Sequence, residues 1–315
     1  MKQRIMTGAI ILIVEALFIA SRLFTPYAMD LFIGLIAIVG CVEVARVLER
    51  KRNFTSIAFI GSFPPILYIA MQIGIINERE WVHYLLYFII IILALFLINF
   101  LSTIIAKEST EKQKDKYGVF VSNQTFAFQK SMNSAFVMIY PLILFCSLFV
   151  INHFFEFAFI DTTGLTDTNI LVVFFLTFTF VVTMMTDTFA LVVGMLIGGP
   201  KLAPAISPKK TISGAIGGFV FGSASSVLVY FLFSLNTVFN TAMGTLGLNI
   251  WSFLIVGMIC AIITQVGDLL ASLLKRSARV KDYGTLFPGH GGVMDRVDGL
   301  IFSAFVTLVS MFIMI

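Results

Sequence analysis

Nine runs of mainly apolar residues, separated by polar connections, dominate this chain and restrict what it can fold into. They lie near 6–23, 29–44, 54–76, 82–105, 135–151, 170–188, 213–235, 251–270 and 299–315. About 20 such residues carry an α-helix across a bilayer's hydrocarbon core. Backbone in lipid must satisfy its own hydrogen bonds, which only helices and closed barrels achieve. The expected fold is therefore an all-α integral membrane protein of about nine transmembrane helices. Composition removes the soluble alternative: 59% of the 315 residues are apolar and 12% charged, where a soluble domain carries about 25% charge. A short apolar run at 189–199 follows the sixth and reads as its continuation or as a re-entrant piece. The basic start at 1–4 resembles a signal peptide, but Glu15 interrupts its apolar core and no A-x-A-like site follows. A retained first span is expected.

Lys and Arg set the orientation of such a bundle, being enriched in cytoplasmic loops. With the N-terminus inside, 19 of the 21 basic residues fall on the inner side, and only Arg22 and Arg79 fall outside. The expected topology is N-terminus cytoplasmic and C-terminus outside, in the cell (inner) membrane. The Lys-rich segment 107–134 then reads as a cytoplasmic loop near lipid head groups. The net charge of +4 is spread over several loops and calls for no nucleic-acid partner. Cys41, Cys146 and Cys260 each sit in an apolar run without a CxxC partner, so buried free thiols are expected.

Ionisable residues inside spans are costly and are candidates for function. Glu15, Glu43, Asp187 and Asp268 are of this kind. Glu15 and Glu43 have no motif around them and read as structural, paired with a neighbouring helix or near an interface. Asp187 and Asp268 each precede a polar stretch on the inner side. On a helix, Asp268, Ser272 and Lys275 fall within about 60° of arc, on one face.

From Ser272 the chain reads S-L-L-K-R-S-A-R-V-K-D-Y-G-T-L-F-P-G-H-G-G-V-M-D-R-V-D, dense in charge within a chain that elsewhere avoids it. Gly289, Gly291 and Gly292 around His290 offer backbone that a phosphate could approach closely. Asp295 and Asp298 share a face if a helix starts there. Cations neutralise phosphates, and Mg²⁺ is held by one or two carboxylates plus phosphate oxygens. This is the inventory of a nucleoside-triphosphate site, although neither a Walker A loop nor a kinase-type glycine loop is present. A second inner-side cluster surrounds Ser207, Lys209, Lys210 and Thr211, two lysines bracketed by hydroxyls. It reads either as a phosphate-binding loop or as a basic loop that only sets topology. Gly214, Gly218 and Gly222 form a small-residue face on the seventh span, read as internal packing, with a homodimer as the alternative.

The stretch 272–298 resembles the signature of the phosphatidate cytidylyltransferases, or CDP-diacylglycerol synthases: S-x-x-K-R-x4-K-D-x-G-x2-F-P-x-H-G-G-x-x-D-R-x-D, matched at every specified position. The run from Ser207 to Thr211 resembles that family's upstream motif, as does Asp187 followed by Ala190 and Gly194. Ser213 stands where the family often has an acidic residue, and Leu191 where a Tyr is common. The resemblance is strongest from Asp187 to the C-terminus. Residues 1–170 support it by hydropathy alone.

The resemblance implies that CTP and phosphatidate react to CDP-diacylglycerol and pyrophosphate in phospholipid biosynthesis, at the cytoplasmic membrane face with a metal-assisted attack. It implies Asp268 and Asp295 as ligands of Mg²⁺, with one or two cations bound. Lys275, Arg276, Lys209 and Lys210 would hold phosphate groups. Asp298, Asp187, Ser207, Thr211, Ser272, His290 and Arg296 would surround them. The N-terminal part, 1–169, would supply about five spans, and 170–315 the catalytic region of about four spans with nucleotide-binding loops. Two alternatives use some of the same residues. A secondary transporter would employ Asp187 and Asp268 for ion coupling but leaves 272–298 unexplained. A CTP-dependent lipid kinase would use the same nucleotide.

Overall fold

A computed structural model describes residues 2–49, 60–76, 136–157, 167–287 and 291–315, with scattered positions between them. Its elements are helices almost throughout. The chain begins with α1 (Lys2–Ser21) and α2 (Pro26–Glu49), the latter with Pro at its first position, where the missing N–H costs nothing. Next comes α3 (Phe63–Ile76), with Pro64 and Pro65 in its first turn. Gln113–Lys114 (β1) pairs with Phe120–Val121 (β2) in a minimal antiparallel ladder. A π-helical segment, Met138–Ile143, contains Pro141 and runs into α4 (Leu144–His153). Tyr140 there has extended φ/ψ, so the kink has a local cause in the proline.

The second half is more regular. Helix α5 (Thr168–Ile197) is 30 residues long and starts at Asp167, whose carboxylate accepts the Asn169 N–H. It stops at Gly198, whose φ of 66° is the left-handed conformation that ends helices. A hairpin follows, Lys201–Ala203 (β3) against Ser207–Thr211 (β4), pairing Lys201 with Thr211. Then come α6 (Ile212–Ser234), the short α7 (Thr237–Thr245), α8 (Ile250–Ser277) and α9 (Met294–Met314). Thr211, Asn236 and Asn249 cap α6, α7 and α8 by accepting backbone N–H groups.

Among the described residues six helices are long and apolar enough to cross a membrane, and two shorter apolar ones accompany them. The chain is a multi-pass membrane protein. Each expected run coincides with a helix except 82–105, which lies largely outside the described residues. The run 189–199 is a continuation, because α5 extends to Ile197.

The tightest helix pair is α5 against α6. Gly214 lies against the Ala190 carbonyl, Gly218 against the Thr186 carbonyl, and Gly222 against the Thr186 hydroxyl, each too close for a Cβ. The Gly214–Gly218–Gly222 face thus packs inside this chain. Toward the other end of these helices Phe174 stacks edge-on or tilted against Phe175, Phe233, Phe239 and Phe253, with centroids 4.8–5.3 Å apart. A buried polar knot ties the N-terminal helices together. Arg22 binds the Asn152 carbonyl and Glu156, and Asp30 binds His153, Asn152 and Tyr68. All three cysteines are free thiols, with Cys41 and Cys260 fully buried.

Candidate functional site

Helices α5, α8 and α9 and the β3–β4 hairpin bring their charged residues together at one end of the bundle. The helical hydrogen-bond ladder of α8 outruns its apolar stretch, so α8 carries Asp268, Ser272, Lys275 and Arg276 on its final turns. Lys275 and Arg276 also suit a helix C-terminus. Ser272 reaches back to Asp268 at 3.5 Å, the long limit of a hydrogen bond. Lys275 is largely buried and donates to Asp295 Oδ1 at 2.7 Å, with its ammonium 5.1 Å from the centre of the Tyr283 ring.

After α8 the chain turns at Arg279, which has φ 56°, and folds back toward the bundle. Tyr283 anchors the return: its hydroxyl donates to the Ala271 carbonyl at 3.1 Å, and its N–H donates to Asp295 Oδ2 at 2.7 Å. Burial pushes the Tyr283 phenol up from its ordinary range, so it remains a donor. Gly292 N–H donates to the same Asp295 oxygen at 2.9 Å. Asp295 is therefore compensated by one ammonium and two backbone N–H groups at the first turn of α9.

Asp298, one turn on, is buried and accepts the Gly299 N–H at 2.8 Å. Asp187, Asp268 and Asp298 lie within electrostatic reach of one another. Lys210 and Arg296 act on Asp187, and Lys275 acts on Asp298. The hairpin delivers Lys210, whose ammonium is 2.5 Å from Asp268 Oδ2, both side chains remaining partly accessible. The structure thus joins Asp187, Lys210, Asp268, Ser272, Lys275, Asp295, Arg296 and Asp298 in one cluster.

The remaining expected residues sit around that cluster. Arg276 ties α8 to the hairpin turn through the Ile206 carbonyl at 3.2 Å. The Thr211 hydroxyl accepts the Gly214 N–H at the start of α6, and the neighbouring Ser213 hydroxyl donates to the Gly198 carbonyl. Lys209 is exposed on the hairpin, and Ser207 opens β4. His290 lies outside the described residues, as does Gly289. Two residues that the sequence reading left out of the site, Glu43 being read there as structural, hold it together. Tyr283 stood at an unspecified position of the signature. Glu43 stood in α2 with its partner 250 residues away, beyond any periodicity.

Among the described residues no three His, Cys, Asp or Glu side chains are gathered closely enough to enclose a metal unaided. An arrangement of one or two carboxylates open to further oxygen ligands is what Mg²⁺ uses beside bound phosphates. Asp268 is the more accessible carboxylate, its side chain 30% exposed against 3% for Asp295.

Comparison with known proteins places the chain among relatives. A phosphatidate cytidylyltransferase of Staphylococcus haemolyticus is 41% identical over 128 residues, 41% of this chain and 45% of the relative. One of Brucella abortus is 44% identical over 127 residues, 40% of this chain and 43% of the relative. One of Staphylococcus saprophyticus is 39% identical over 128 residues. The aligned part thus spans less than half the length of these relatives. The sequence model of the cytidylyltransferase family, by contrast, matches residues 2–314, and this chain belongs to that family.

Proposed function

We propose that the protein transfers the cytidylyl group of CTP to phosphatidate, forming CDP-diacylglycerol and releasing pyrophosphate, as a step of phospholipid synthesis. The observation that carries this reading is the convergence of Lys210, Lys275 and Arg296 with Asp187, Asp268, Asp295 and Asp298 at one end of a transmembrane bundle. The curated relatives' names point to the same reaction. A site at a helix-bundle end suits one substrate from water and one from the membrane. The basic connections would place it at the cytoplasmic face of the cell membrane.

In the reaction a phosphate oxygen of phosphatidate attacks the α-phosphorus of CTP. The bond from that phosphorus to the bridging oxygen breaks, and pyrophosphate leaves. No protein nucleophile is required, so positioning and charge stabilisation make up the catalysis. Lys209 and Lys210 on the hairpin and Arg276 at the end of α8 would take the leaving phosphates. Lys275 and Arg296 would hold the phosphate groups nearer α9. The cluster's carboxylates roughly balance its own cations, so the charge of two incoming phosphate substrates is left over. A Mg²⁺ on Asp268 and Asp295 fits this need, since when bound it would offset charge on the phosphates and align them.

Purified protein given labelled CTP, phosphatidate and Mg²⁺ should place cytidine on the lipid and release pyrophosphate. Phosphate transfer to a lipid alcohol with release of CDP would replace this reading with a lipid kinase. Solute crossing sealed vesicles without CTP consumption would replace it with a transporter.

A further inference from the structure

Glu43 belongs to α2, far in sequence from the charged stretch, and it is buried. Its carboxylate accepts the Val293 N–H at 3.1 Å and the Met294 N–H at 2.8 Å. These are among the first free donors of α9, a helix with no side-chain cap of its own. Gly284 and Gly292 press against the same carboxylate, and a Cβ on either would overlap Oε1. One helical turn earlier, Gly40 packs tightly against the Phe145 ring, 2.9 Å from where a Cβ would stand, with the Met294 sulfur in ordinary contact at 3.7 Å. Among the described residues no cation forms an ion pair with Glu43. Backbone N–H groups and the positive end of α9 therefore carry most of its compensation, with a weaker attraction from Arg46 one turn on in α2.

A local Ser or Asp would cap α9 at less desolvation cost. The carboxylate from α2 does something a local cap cannot: it clamps both sides of the returning chain, at Gly284 and at Gly292, to a separate helix. Gly292 is also the residue whose N–H binds Asp295. We propose that Glu43 is a positioning residue for the cytidylyl transfer. It holds the chain around Gly284 and 291–294 so that Asp295, Arg296 and Asp298 meet Asp268 and Lys210. The inference rests on the function proposed above. It also makes the N-terminal half part of the reaction centre rather than a separate anchor.

The test compares full-length wild type, Glu43→Ala and Glu43→Gln in lipid. It reads kcat, the KM for each substrate, the melting temperature, and the rate of trypsin cleavage after Arg279 and Lys281. Glu43→Ala should lower kcat on the order of 100-fold, as misplacement of catalytic groups does, with smaller changes in KM and faster cleavage. Glu43→Gln keeps one carbonyl acceptor and should fall between the two. The proposal is overturned if folded Glu43→Ala keeps kcat within about twofold of wild type, a change too small for lost positioning. Turnover that falls in both variants only as far as folded protein is lost would also overturn it. If wild type itself forms no CDP-diacylglycerol, the reaction reading fails, and unchanged cleavage in Glu43→Ala then overturns the clamp as well.

Discussion

Asp268 and Asp295 lie 27 positions apart in the chain and meet very different surroundings. Asp268 is partly accessible and paired with an equally accessible Lys210, so that pair contributes about 1 kcal/mol or less to stability. Asp268→Asn should therefore melt within a few degrees of wild type while losing at least about 100-fold in turnover; substantial activity would remove Asp268 from the proposed metal site. Asp295→Asn differs, because it strips a largely buried Lys275 of its counter-charge. It should cost about 3 kcal/mol as well as turnover. Adding Lys275→Met to it should restore the melting temperature and leave activity absent, and a double variant that stays unstable contradicts this account. Lys210→Ala should mainly raise the KM for CTP, by about tenfold for one lost ionic contact, as measured with phosphatidate saturating.

Helices α5, α6, α8 and α9 act as rods that carry these side chains. The α5–α6 contact sets the hairpin, because Thr211 and Ser213 at its base bind Gly214 and Gly198. Gly218→Leu would drive a side chain into the Thr186 carbonyl and the Ala190 methyl group. Overpacking of this kind costs about 3 kcal/mol, and separating the two helices moves Lys210 away from Asp268. The expected outcome is a lower melting temperature together with a raised KM for CTP; a variant with wild-type values of both would show that the contact does not set the hairpin. At this scale the sequence was legible in part. Apolar runs located the long helices within the described residues, but missed the short α7, placed the end of α8 too early and the start of α9 too late. Hydropathy reports which residues suit hydrocarbon, whereas a helix ends where its backbone ladder is capped. Lys275 and Asp295 sit on helical turns beyond the apolar runs.

For the whole molecule, the bundle has a charged end, where α8 and α9 meet the hairpin, and an opposite end marked by α7 and the phenylalanine cluster. We propose, from the distribution of Lys and Arg, that the charged end faces the cytoplasm. Thr241 on α7 is exposed at the other end. A Thr241→Cys variant should react with an impermeant thiol reagent added to intact cells. Labelling only after lysis would invert the assignment. The pair of buried Arg22 with exposed Glu156 and the buried Asp30–His153 pair belong to this scale too, because they join the ends of α1 and α4 to α2, far from the charged cluster. Asp30 and His153 drew no attention in the sequence, where each looks like a lone polar residue beside an apolar run.

Sequence alone determined that this chain spans a membrane, because hydrocarbon tolerates only long apolar helices. It also singled out the charged stretch 272–298, because dense charge stands out in such a chain, and the order of residues within it is family-specific. Tertiary structure decided which of those charges face one another. The pairing of Lys210 with Asp268 and of Lys275 with Asp295 depends on helix ends and a returning chain that no periodicity encodes. The clamp at Glu43 depends on two backbone N–H groups 250 residues away, and backbone donors leave no trace in side-chain composition.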